Sequence, residues 1–380
     1  MNKQLSELAH IYSGTDYKKN PPGDTIPIYG TGGLMGYTSV PLYSGPAVLS
    51  GRKGSINNPM YISGDFWNVD TIFCIKTNEG VDTKWLYYNF LNTDLSLLNE
   101  ATGVPSVNSK ALYKLKFKWF EYFEQRHIAQ ILSTCDSVIE KTQAAIDKYK
   151  VIKQGMLHDL FARGIDINTG QLRSKYEDAP GLYKDSKLGF IPVEWDVVRV
   201  DKLAKITTGS KDTQNKEEQG EYPFFVRSQT IEKISSYSYE GEAILTSGDG
   251  VGVGKIYHYI NGKFDFHQRV YMLYEFEKNI APKYLFYYFS NNFLAEVDKY
   301  SAKTTVDSVR MEMIAGMLVP QPDILEQKQI AGKFIILENK LNAEQIYLRK
   351  LQQIKAGLMG DLLSGKKEVL VKDKEEVQNG

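Results

Sequence analysis

The sequence predicts an α+β protein in which two similar mixed α/β domains are joined by two long helices that form an antiparallel coiled coil. Two observations carry this prediction. The 380-residue chain contains one long unit written twice, and each copy ends in a segment whose apolar residues recur at alternating steps of four and three. The length itself is that of two to three domains rather than one.

The internal repeat consists of matches that stay collinear along the chain. The distance between matched residues only increases, which indicates small loop insertions, and the unit is too long for a solenoid repeat. We therefore infer a duplicated domain with a pseudo-two-fold relation between its copies. The matches are LAHIYSG (8–14) with LAKITTG (203–209), AVLSG (47–51) with ILTSG (244–248), YISGDF (61–66) with YINGKF (259–264), KWLYYNF (84–90) with KYLFYYF (283–289), EQRHIA (124–129) with EQKQIA (326–331), and IKQGMLHDL (152–160) with IKAGLMGDL (354–362).

The first part of each copy reads as short strands. Runs rich in Tyr, Phe, Ile and Val, such as TIFCI (71–75) and VYMLY (270–274), are separated by Gly, Pro and Asn clusters, a pattern typical of strands and turns. One helix is expected in each copy, at 84–98 and at 283–299. The two domains are predicted at residues 1–121 and 192–322.

The second part of each copy reads as one long helix, at 122–164 and 323–365. A period of 3.5 over about five heptads is that of a coiled-coil seam, and some 38 residues of helix would span about 57 Å. Polar residues interrupt the seam at matched places. We expect these to lie at the edge of the stripe and point to solvent, the alternative being that they set the register or meet a partner helix. The interruptions are Thr142 with Glu344 and Lys153 with Lys355, and the other seam positions are Ile128, Leu132, Cys135, Ile139, Ile146, Tyr149, Met156 and Leu160, then Ile330, Phe334, Leu337, Leu341, Leu348, Leu351, Leu358 and Leu362.

Composition limits the function classes. The chain has 46 basic and 46 acidic side chains, which argues against DNA binding by bulk charge alone. Cys74 and Cys135 lie in apolar runs without a CxxC partner and fit the packing of a reduced, cytoplasmic protein. No apolar stretch has the length of a membrane span, and no histidine spacing indicates a metal site. Residues 165–191 are predicted to be a linker, and the charged segment 366–380 a fraying tail.

The order of domain, long helix, domain and long helix resembles the specificity subunits of type I restriction–modification systems. EQ[RK]xIA opens each long helix and IKxGxxxDL closes it, while FARGID (161–166) followed by GFIPVEW (189–195) is similar to that family's entry into its second target-recognition domain. The resemblance covers essentially the whole chain. One departure is that the first copy has no equivalent of GFIPVEW and starts at the position matching Asp196.

The resemblance implies a function without catalysis. Each target-recognition domain would read one half of a split, asymmetric site in double-stranded DNA. The helices would act as spacer and as docking surface for two methyltransferase subunits, with motor–nuclease (restriction) subunits as further partners. No cofactor, catalytic residue or metal site is expected in this chain.

Candidate DNA contacts in the first domain cluster in the Gly-flanked segment SGRKGSINN (50–58). Arginine can bond guanine bidentately, lysine holds phosphates and asparagine can read adenine. The plainer reading is a solvated hairpin tip, and for the residues outside this segment core or turn roles are equally open. The candidates are Arg52, Lys53, Asn57 and Asn58, with Lys18, Lys19 and Tyr37 as a weaker second group.

Candidate contacts in the second domain follow from SGDGVGVGK (247–255), the segment matched to the first. An offset of 197 residues between ILTSG and AVLSG places Asp249 opposite Arg52, where a carboxylate would favour cytosine amino groups and reject phosphate. The tripeptide 303–305 is matched to 104–106, either of which could be a backbone-contacting loop. Ordinary strand and turn roles remain the alternative for all of them. The candidates are Arg227, Ser228, Gln229, Asp249, Lys255, Gln268, Arg269 and Lys303.

Two other function classes stay open. A stand-alone DNA methyltransferase is disfavoured, because NPPG (20–23) has Gly23 where an aromatic must stack on a flipped base, and is read as a turn. GDGVGVGKI is not a phosphate-binding loop, since Asp249 and Ile256 stand where Gly and Ser or Thr are required. A non-catalytic coiled-coil scaffold with two binding heads is not excluded by the sequence.

Overall fold

The computed structural model describes residues 1–301 and 308–369, apart from the side chains of Val251, Tyr300 and Ser301. The chain divides into two compact units, and neither is continuous in sequence. Unit 1 consists of residues 1–144 and 345–380, and unit 2 of residues 145–344. Each unit therefore contains one strand-rich domain together with a part of both long helices.

Unit 1 is built around two four-stranded sheets and a short strand pair. The sheets have the strand orders β2-β9-β6-β7 and β4-β3-β8-β5, and β1 pairs with β10. The elements are β1 (Asn2–Gln4), α1 (Leu5–Leu8), β2 (Ala9–Ser13), β3 (Pro22–Gly30), β4 (Gly33–Thr38), β5 (Tyr43–Ser44), β6 (Ala47–Gly51), β7 (Met60–Ile62), β8 (Asp65–Asn68), β9 (Ile72–Thr77), α2 (Thr83–Leu91), a 3-10 helix (Leu95–Leu98), α3 (Ser109–Tyr113), β10 (Lys116–Lys118) and α4 (Tyr122–Ala162), which continues into unit 2.

Unit 2 is built around a six-stranded sheet with the order β14-β19-β17-β18-β15-β16, beside the pairs β11-β12 and β13-β20. Five short 3-10 helices were found in the described chain, and four of them lie here. The elements are β11 (Tyr183–Lys184), β12 (Ile191–Pro192), β13 (Asp196–Arg199), β14 (Lys205–Thr208), β15 (Tyr222–Phe225), β16 (Glu232–Ile234), β17 (Tyr239–Ser247), β18 (Tyr257–Phe266), β19 (Val270–Tyr274), α5 (Pro282–Ser301), α6 (Met311–Gly316), β20 (Leu318–Gln321) and α7 (Ile324–Ser364), with 3-10 helices at Pro180–Leu182, Val200–Lys202, Thr213–Asn215 and Gly250–Gly252.

Local sequence explains two differences from the expected elements. The helix expected at 84–98 is interrupted after Leu91, and Asp94 begins the 3-10 turn by accepting a hydrogen bond from Ser96 N. Asp82 caps the start of α2, since its side chain accepts from Trp85 N at 2.8 Å. NPPG is not a turn as a whole, because its last two residues begin β3.

A buried glutamine holds the start of each long helix against its domain. Gln125 Oε1 accepts from Asp82 N at 2.9 Å, while its Nε2 donates to Phe120 O at 2.8 Å. Gln327 repeats this pattern, with Oε1 accepting from Ala281 N at 2.8 Å and Nε2 donating to main-chain carbonyls. Both side chains are fully buried. The glutamine of the EQ[RK]xIA motif therefore joins each helix to its domain through buried hydrogen bonds.

The closing motif of each long helix packs into the domain of the other copy. The core of unit 1 contains Met359, Leu362 and Leu363 of α7 beside Ile128 and Leu132 of α4. In unit 2 the partners are reversed, so that the end of α4 packs beside the start of α7. The residues there are Leu157, Leu160 and Phe161 with Ile330, Ala331 and Phe334.

Matched ion pairs join the two helices within each unit. Lys355 pairs with Asp136 in unit 1, and Lys153 Nζ lies 2.6 Å from Glu338 Oε1 in unit 2. A tyrosine supports each acid, because Tyr88 donates to Asp136 and Tyr287 donates to Glu338, both at 2.7 Å.

The expectation that the polar seam residues point to solvent is wrong for three of the four. Both lysines are only partly exposed and meet an acid on the other helix. Thr142 is buried and donates to Val138 O at 2.8 Å, the backbone bond that satisfies a threonine hydroxyl inside a helix.

The segment between the domains is packed against the start of α7 rather than free. Glu326, whose side chain is 3% exposed, forms an ion pair with Arg173. Glu326 also accepts from Ile165 N at 2.7 Å and from Trp195 Nε1 at 3.1 Å. Gly164, at φ +63°, leaves room for this carboxylate, since a Cβ there would lie 2.1 Å from Glu326 Oε1. Part of the predicted tail, residues 370–380, lies outside the described residues.

Strand pairing corrects the match between the two copies. Leu49 lies opposite Cys74 and Gly51 opposite Ile72 in unit 1, and unit 2 repeats this pattern with Leu245 opposite Met272. The offset in β6 and β17 is therefore 196 (245 − 49), not 197. A shift of one residue would exchange the two faces of a strand, so Asp249 corresponds to Lys53, and Arg52 to Gly248.

Candidate nucleic-acid interface

Four segments of unit 1 meet beside the end of β6, and we call them the first loop surface (residues 30–33, 52–58, 69–71 and 104–107). Arg52 N donates to Thr71 O at 2.8 Å, and Arg52 O accepts from Val107 N at 3.0 Å. Gly54 N donates to Pro105 O at 2.9 Å. These main-chain bonds hold the Gly-flanked turn in place, so its side chains extend from a fixed frame.

Arg52 and Lys53 are the exposed cations of this surface. The Arg52 guanidinium lies 5.9 Å from the ring of Phe73 and makes one long hydrogen bond, 3.4 Å, to Asp70 O. No carboxylate pairs with Arg52 in the described part of the chain. Its planar donors are therefore available to a ligand.

The other candidates of the first domain divide into held and free side chains. Asn57 Nδ2 donates to Asp94 at 2.8 Å, and Asn58 Nδ2 donates to Thr31 O at 3.4 Å. Asn57 is thus engaged in holding the turn. Lys18 and Lys19 lie exposed in the loop before β3, and no contact joins them to the first loop surface. Tyr37 is exposed on β4 beside Leu34 and Met35, an apolar patch on the same hairpin.

Unit 2 presents a charged cluster at the corresponding place. Arg227 donates to Asp249 Oδ1 at 2.9 Å and Arg269 donates to Asp249 Oδ2 at 2.5 Å. Burial opposes ionisation of Asp249, but hydrogen bonds from the two guanidinium groups, together with their charge, hold the pKa of this carboxyl below its ordinary value. The Asp249 side chain is 13% exposed, against 42% for Arg227 and 62% for Arg269.

His267 fixes the main chain of the cluster. Its Nδ1 accepts from Arg269 N at 2.9 Å. Burial lowers the pKa of His267, and the charge of Arg227 lowers it further. A neutral imidazole with Nδ1 as acceptor fits both observations.

The remaining candidates of the second domain surround this cluster, and we call the whole the second loop surface (residues 226–230, 248–255 and 267–269). Gln268 Nε2 donates to Asp212 at 3.3 Å, and Ser228 O lies 3.1 Å from His258 Nε2. Gln229 and Lys255 are exposed. Lys303 lies outside the described residues.

The same main-chain frame underlies both loop surfaces. Gly248 N donates to Arg269 O and Gly248 O accepts from Val309 N, which repeats the bonds of Arg52. Ser308 forms an isolated antiparallel β-bridge with Asp249, as Ser106 does with Lys53. Ser308 thus takes the place of Ser106, while the tripeptide 303–305, which the sequence matched to 104–106, lies outside the described residues.

Sequence reasoning missed part of this surface. Thr31 and Arg227 hold equivalent positions in the two copies. Val69 N donates to Tyr29 O, two residues before Thr31. His267 N donates to Phe225 O, two residues before Arg227. Thr71 and Arg269 are equivalent in the same way, because the carbonyl of each accepts the bond that fixes the matched turn. No pattern in the sequence singles out these threonines, because they matter only through the arginines that replace them in the other copy.

The described residues contain no cluster of three or more potential metal ligands. Across the described helices, none is both long and apolar enough to cross a membrane. Burial raises the pKa of the Cys74 thiol to about 12, as expected for a cysteine packed as a small apolar residue.

Comparison with known proteins decides the family. Residues 1–148 and 192–355 match the type I restriction modification DNA specificity domain. The chain belongs to this family. The MjaVIII specificity subunit of Methanocaldococcus jannaschii is 25% identical over 344 residues, covering 84% of this chain and 76% of that protein. The EcoDI specificity subunit of Escherichia coli is 28% identical over 166 residues, covering 44% and 36%.

A solved structure shares the fold. The S subunit of a type I restriction–modification system from M. genitalium aligns with a TM-score of 0.70 at 15% identity, over 96% of each chain. This specificity subunit is thus a mixed α/β protein with two family regions, and each region carries one of the two loop surfaces.

Proposed function

We propose that this specificity subunit reads a split, asymmetric site in double-stranded DNA, with the two loop surfaces contacting one half-site each. One observation carries the proposal: the main-chain frame is the same in both surfaces, while the side chains that extend from it differ. Lys53 stands where unit 2 has Asp249, and Thr71 where it has Arg269. Two domains that share a main-chain frame but present different hydrogen-bond donors and acceptors can recognise two different base sequences.

The chain itself has no catalytic role in this proposal. Relatives carry the name of specificity subunits, and base modification requires a cofactor site, which the sequence motifs do not provide. Methyl transfer belongs to methyltransferase subunits, and cleavage to restriction subunits. The complex is expected to work in the cytoplasm, where its DNA lies.

The long helices are proposed to form the antiparallel coiled coil of the predicted fold. Lys153 pairs with Glu338 and, farther along α4, Phe161 stacks on Phe334 nearer the start of α7, 5.6 Å between ring centroids. The ion pairs of the two units join positions that the repeat relates, since Asp136 matches Glu338 and Lys153 matches Lys355 at an offset of 202 (338 − 136). This supports a pseudo-two-fold relation between the copies, with domain limits near 1–121 and 192–322.

Exposed apolar residues on these helices support docking of two methyltransferase subunits. The isoleucine that opens IKxGxxxDL is exposed in both copies, Ile152 at 37% and Ile354 at 54%. In unit 2, Ile336 and Met156 join Ile152 in an apolar groove. A motif that repeats an exposed isoleucine fits a partner that binds twice.

Docking can be tested with a single variant in each copy. We expect Ile152→Asp and Ile354→Asp each to weaken binding of one methyltransferase subunit, so that the single variants lower the number bound and the double variant abolishes assembly. Analytical ultracentrifugation with Glu140→Ala as an exposed control on α4 gives the stoichiometry. Unchanged assembly of the double variant would place docking elsewhere.

Half-site reading is tested by exchanging a domain. Replacing residues 1–121 by the same region of a relative should change one half of the methylated sequence and leave the other half as it was. Core-facing residues of β6 and α2 are kept so that the ends of both helices still pack. A change in both halves, or in neither, would contradict the assignment of one half-site to each domain.

A scaffold with two binding heads is the second candidate, favoured only by the apolar patch of Leu34, Met35 and Tyr37. A random-duplex selection with the assembled complex distinguishes the two functions, because a scaffold without DNA recognition would enrich no preferred sequence.

A further inference from the structure

Each loop surface contains three matched positions, and we call them the clasp positions. They are Thr31, Lys53 and Thr71 in unit 1, and Arg227, Asp249 and Arg269 in unit 2. The Asp249 main chain is fixed on both sides, since Gly248 binds Val309 and Arg269 through main-chain bonds and Ser247 Oγ donates to Asp249 O at 2.9 Å. Asp249 therefore has a defined place between two arginines that belong to different loops.

The carboxylate lies beneath the two guanidinium groups. It is 13% exposed and each of its oxygens accepts from a different arginine, whereas the arginines are 42% and 62% exposed. Each arginine uses its NH1 for this contact in the described structure. An arginine has five N–H donors in a planar fork, so donors remain on each guanidinium for a ligand.

Charge explains why an acid is needed there. Two neighbouring guanidinium groups repel one another, and both are long side chains with several rotatable bonds. A shared carboxylate reduces the net charge of the three to about +1 and restricts both side chains to orientations compatible with its two oxygens. The matched positions of unit 1 carry Lys53 and two threonines, so no pair of guanidinium groups stands there to be held by an acid.

We propose that Asp249 positions Arg227 and Arg269 as a pair of base-reading residues, and that the second half-site contains at least one guanine whose recognition depends on them. This deepens the proposed DNA-reading function and rests on it. The earlier expectation that Asp249 itself accepts from cytosine is not favoured, because its side chain is only 13% exposed and each of its oxygens already accepts from an arginine.

The test uses the chain assembled with its methyltransferase subunits, and Asp249→Asn as the variant. Binding to a library in which each base pair of both half-sites is varied should lose discrimination at the guanine positions of the second half-site by roughly 5- to 150-fold, the range of a bidentate arginine contact. Binding to unrelated duplex should not weaken, since a negative charge near phosphates has been removed.

Two controls keep the outcome interpretable. Asp201→Asn breaks an exposed ion pair with Arg199 in the same unit and should leave both half-sites unchanged. Recognition of the first half-site by Asp249→Asn reports that the chain is folded and assembled. A loss at both half-sites together would mean that the substitution acts through the fold, and would overturn the positioning role.

A double comparison separates positioning from direct contact. In a chain with Arg227→Gln and Arg269→Gln, adding Asp249→Asn should cause no further loss of discrimination if the acid acts through the arginines. A further loss of the same size, confined to one base pair, would show that Asp249 contacts that base itself and would overturn the inference. A wild-type complex without any sequence preference would overturn the proposed function instead.

Discussion

Arg52 is an exposed cation of the first loop surface, and among the described residues no acid pairs with its guanidinium. In unit 2 the place of Arg52 in the frame belongs to Gly248, and the two arginines stand where unit 1 has Thr31 and Thr71. The two surfaces therefore offer arginine donors in different places on the same frame.

Replacing Arg52 tests the first loop surface. If Arg52 pairs bidentately with guanine, Arg52→Ala should cost about 1–3 kcal/mol and relax one position of the first half-site only. If it holds a phosphate, affinity should fall evenly and the salt slope should drop by about one. Competition binding of the assembled methyltransferase at two salt concentrations measures both.

The matched control is Lys116→Ala, which removes an exposed cation from β10 of the same domain. If Arg52→Ala behaves like this control, the segment is a solvated hairpin tip and the site assignment in unit 1 is wrong.

Glu326 allows a stability test at the same scale. Glu326→Gln leaves Arg173 without its partner in a buried site, which should lower the free energy of unfolding by about 3–5 kcal/mol. Glu124 is the matched residue of the first copy. It is more exposed, and among the described residues it accepts only from Glu121 N at the start of its own helix. A glutamine can still accept this bond, so Glu124→Gln should cost only the interaction of the charge with the helix start, about 0.3–1 kcal/mol.

Urea unfolding followed by circular dichroism compares the two variants. Equal losses would show that the segment around Arg173 is not held by Glu326.

Local patterns in the sequence locate turns but do not align the two copies. The Gly-flanked segments of both copies were found from sequence, yet their alignment was wrong by one residue. AVLSG resembles ILTSG and AILTS almost equally well, and only the pairing partners of the strands choose between them. The positions of Thr31 and Thr71 could likewise be recognised only from the main-chain hydrogen bonds that the two copies share.

At the scale of elements, the long helices illustrate what periodicity can and cannot predict. Every seam position named from the sequence is buried or half-buried in the described chain, because a period of 3.5 places those residues on one face. The ion pairs were not foreseen. A lysine in a seam usually extends to solvent, and its acidic partner is known only when the two helices are set in register.

Helix length should determine the distance between the half-sites. Adding four residues after Ala144 and four after Glu344 lengthens both helices by about one turn, or ~6 Å, at the boundary between the units, so the contacts within each unit are kept. At ~3.4 Å per base pair, the gap between half-sites should grow by one or two base pairs while the half-sites stay the same. Sequencing of the methylated sites measures the gap.

An insertion in α4 alone is the control, because it shifts the register and should destabilise the chain instead. Unaltered spacing with both insertions would mean that the helices do not set the distance.

At the scale of the whole molecule, the duplication was predictable and the composition of the units was not. Collinear matches identify two copies, but each unit takes the end of one long helix from the other copy. Such an exchange depends on which helix end meets which domain, and both ends carry the same IKxGxxxDL pattern. The packing of the linker could not be predicted for a related reason, since its anchor, Glu326, lies far away in sequence.

The central claim is that this chain supplies recognition while its partners supply chemistry. The most direct measurement is methyl transfer from a labelled donor to a random-sequence DNA library, with the purified chain alone, with its cognate methyltransferase subunit alone, and with both together. Sequencing of the modified sites accompanies each assay. We expect methylation only from the mixture, at one split site whose two halves differ. Methyl transfer by the chain alone, or the same methylated sequence from the methyltransferase without this chain, would contradict the account.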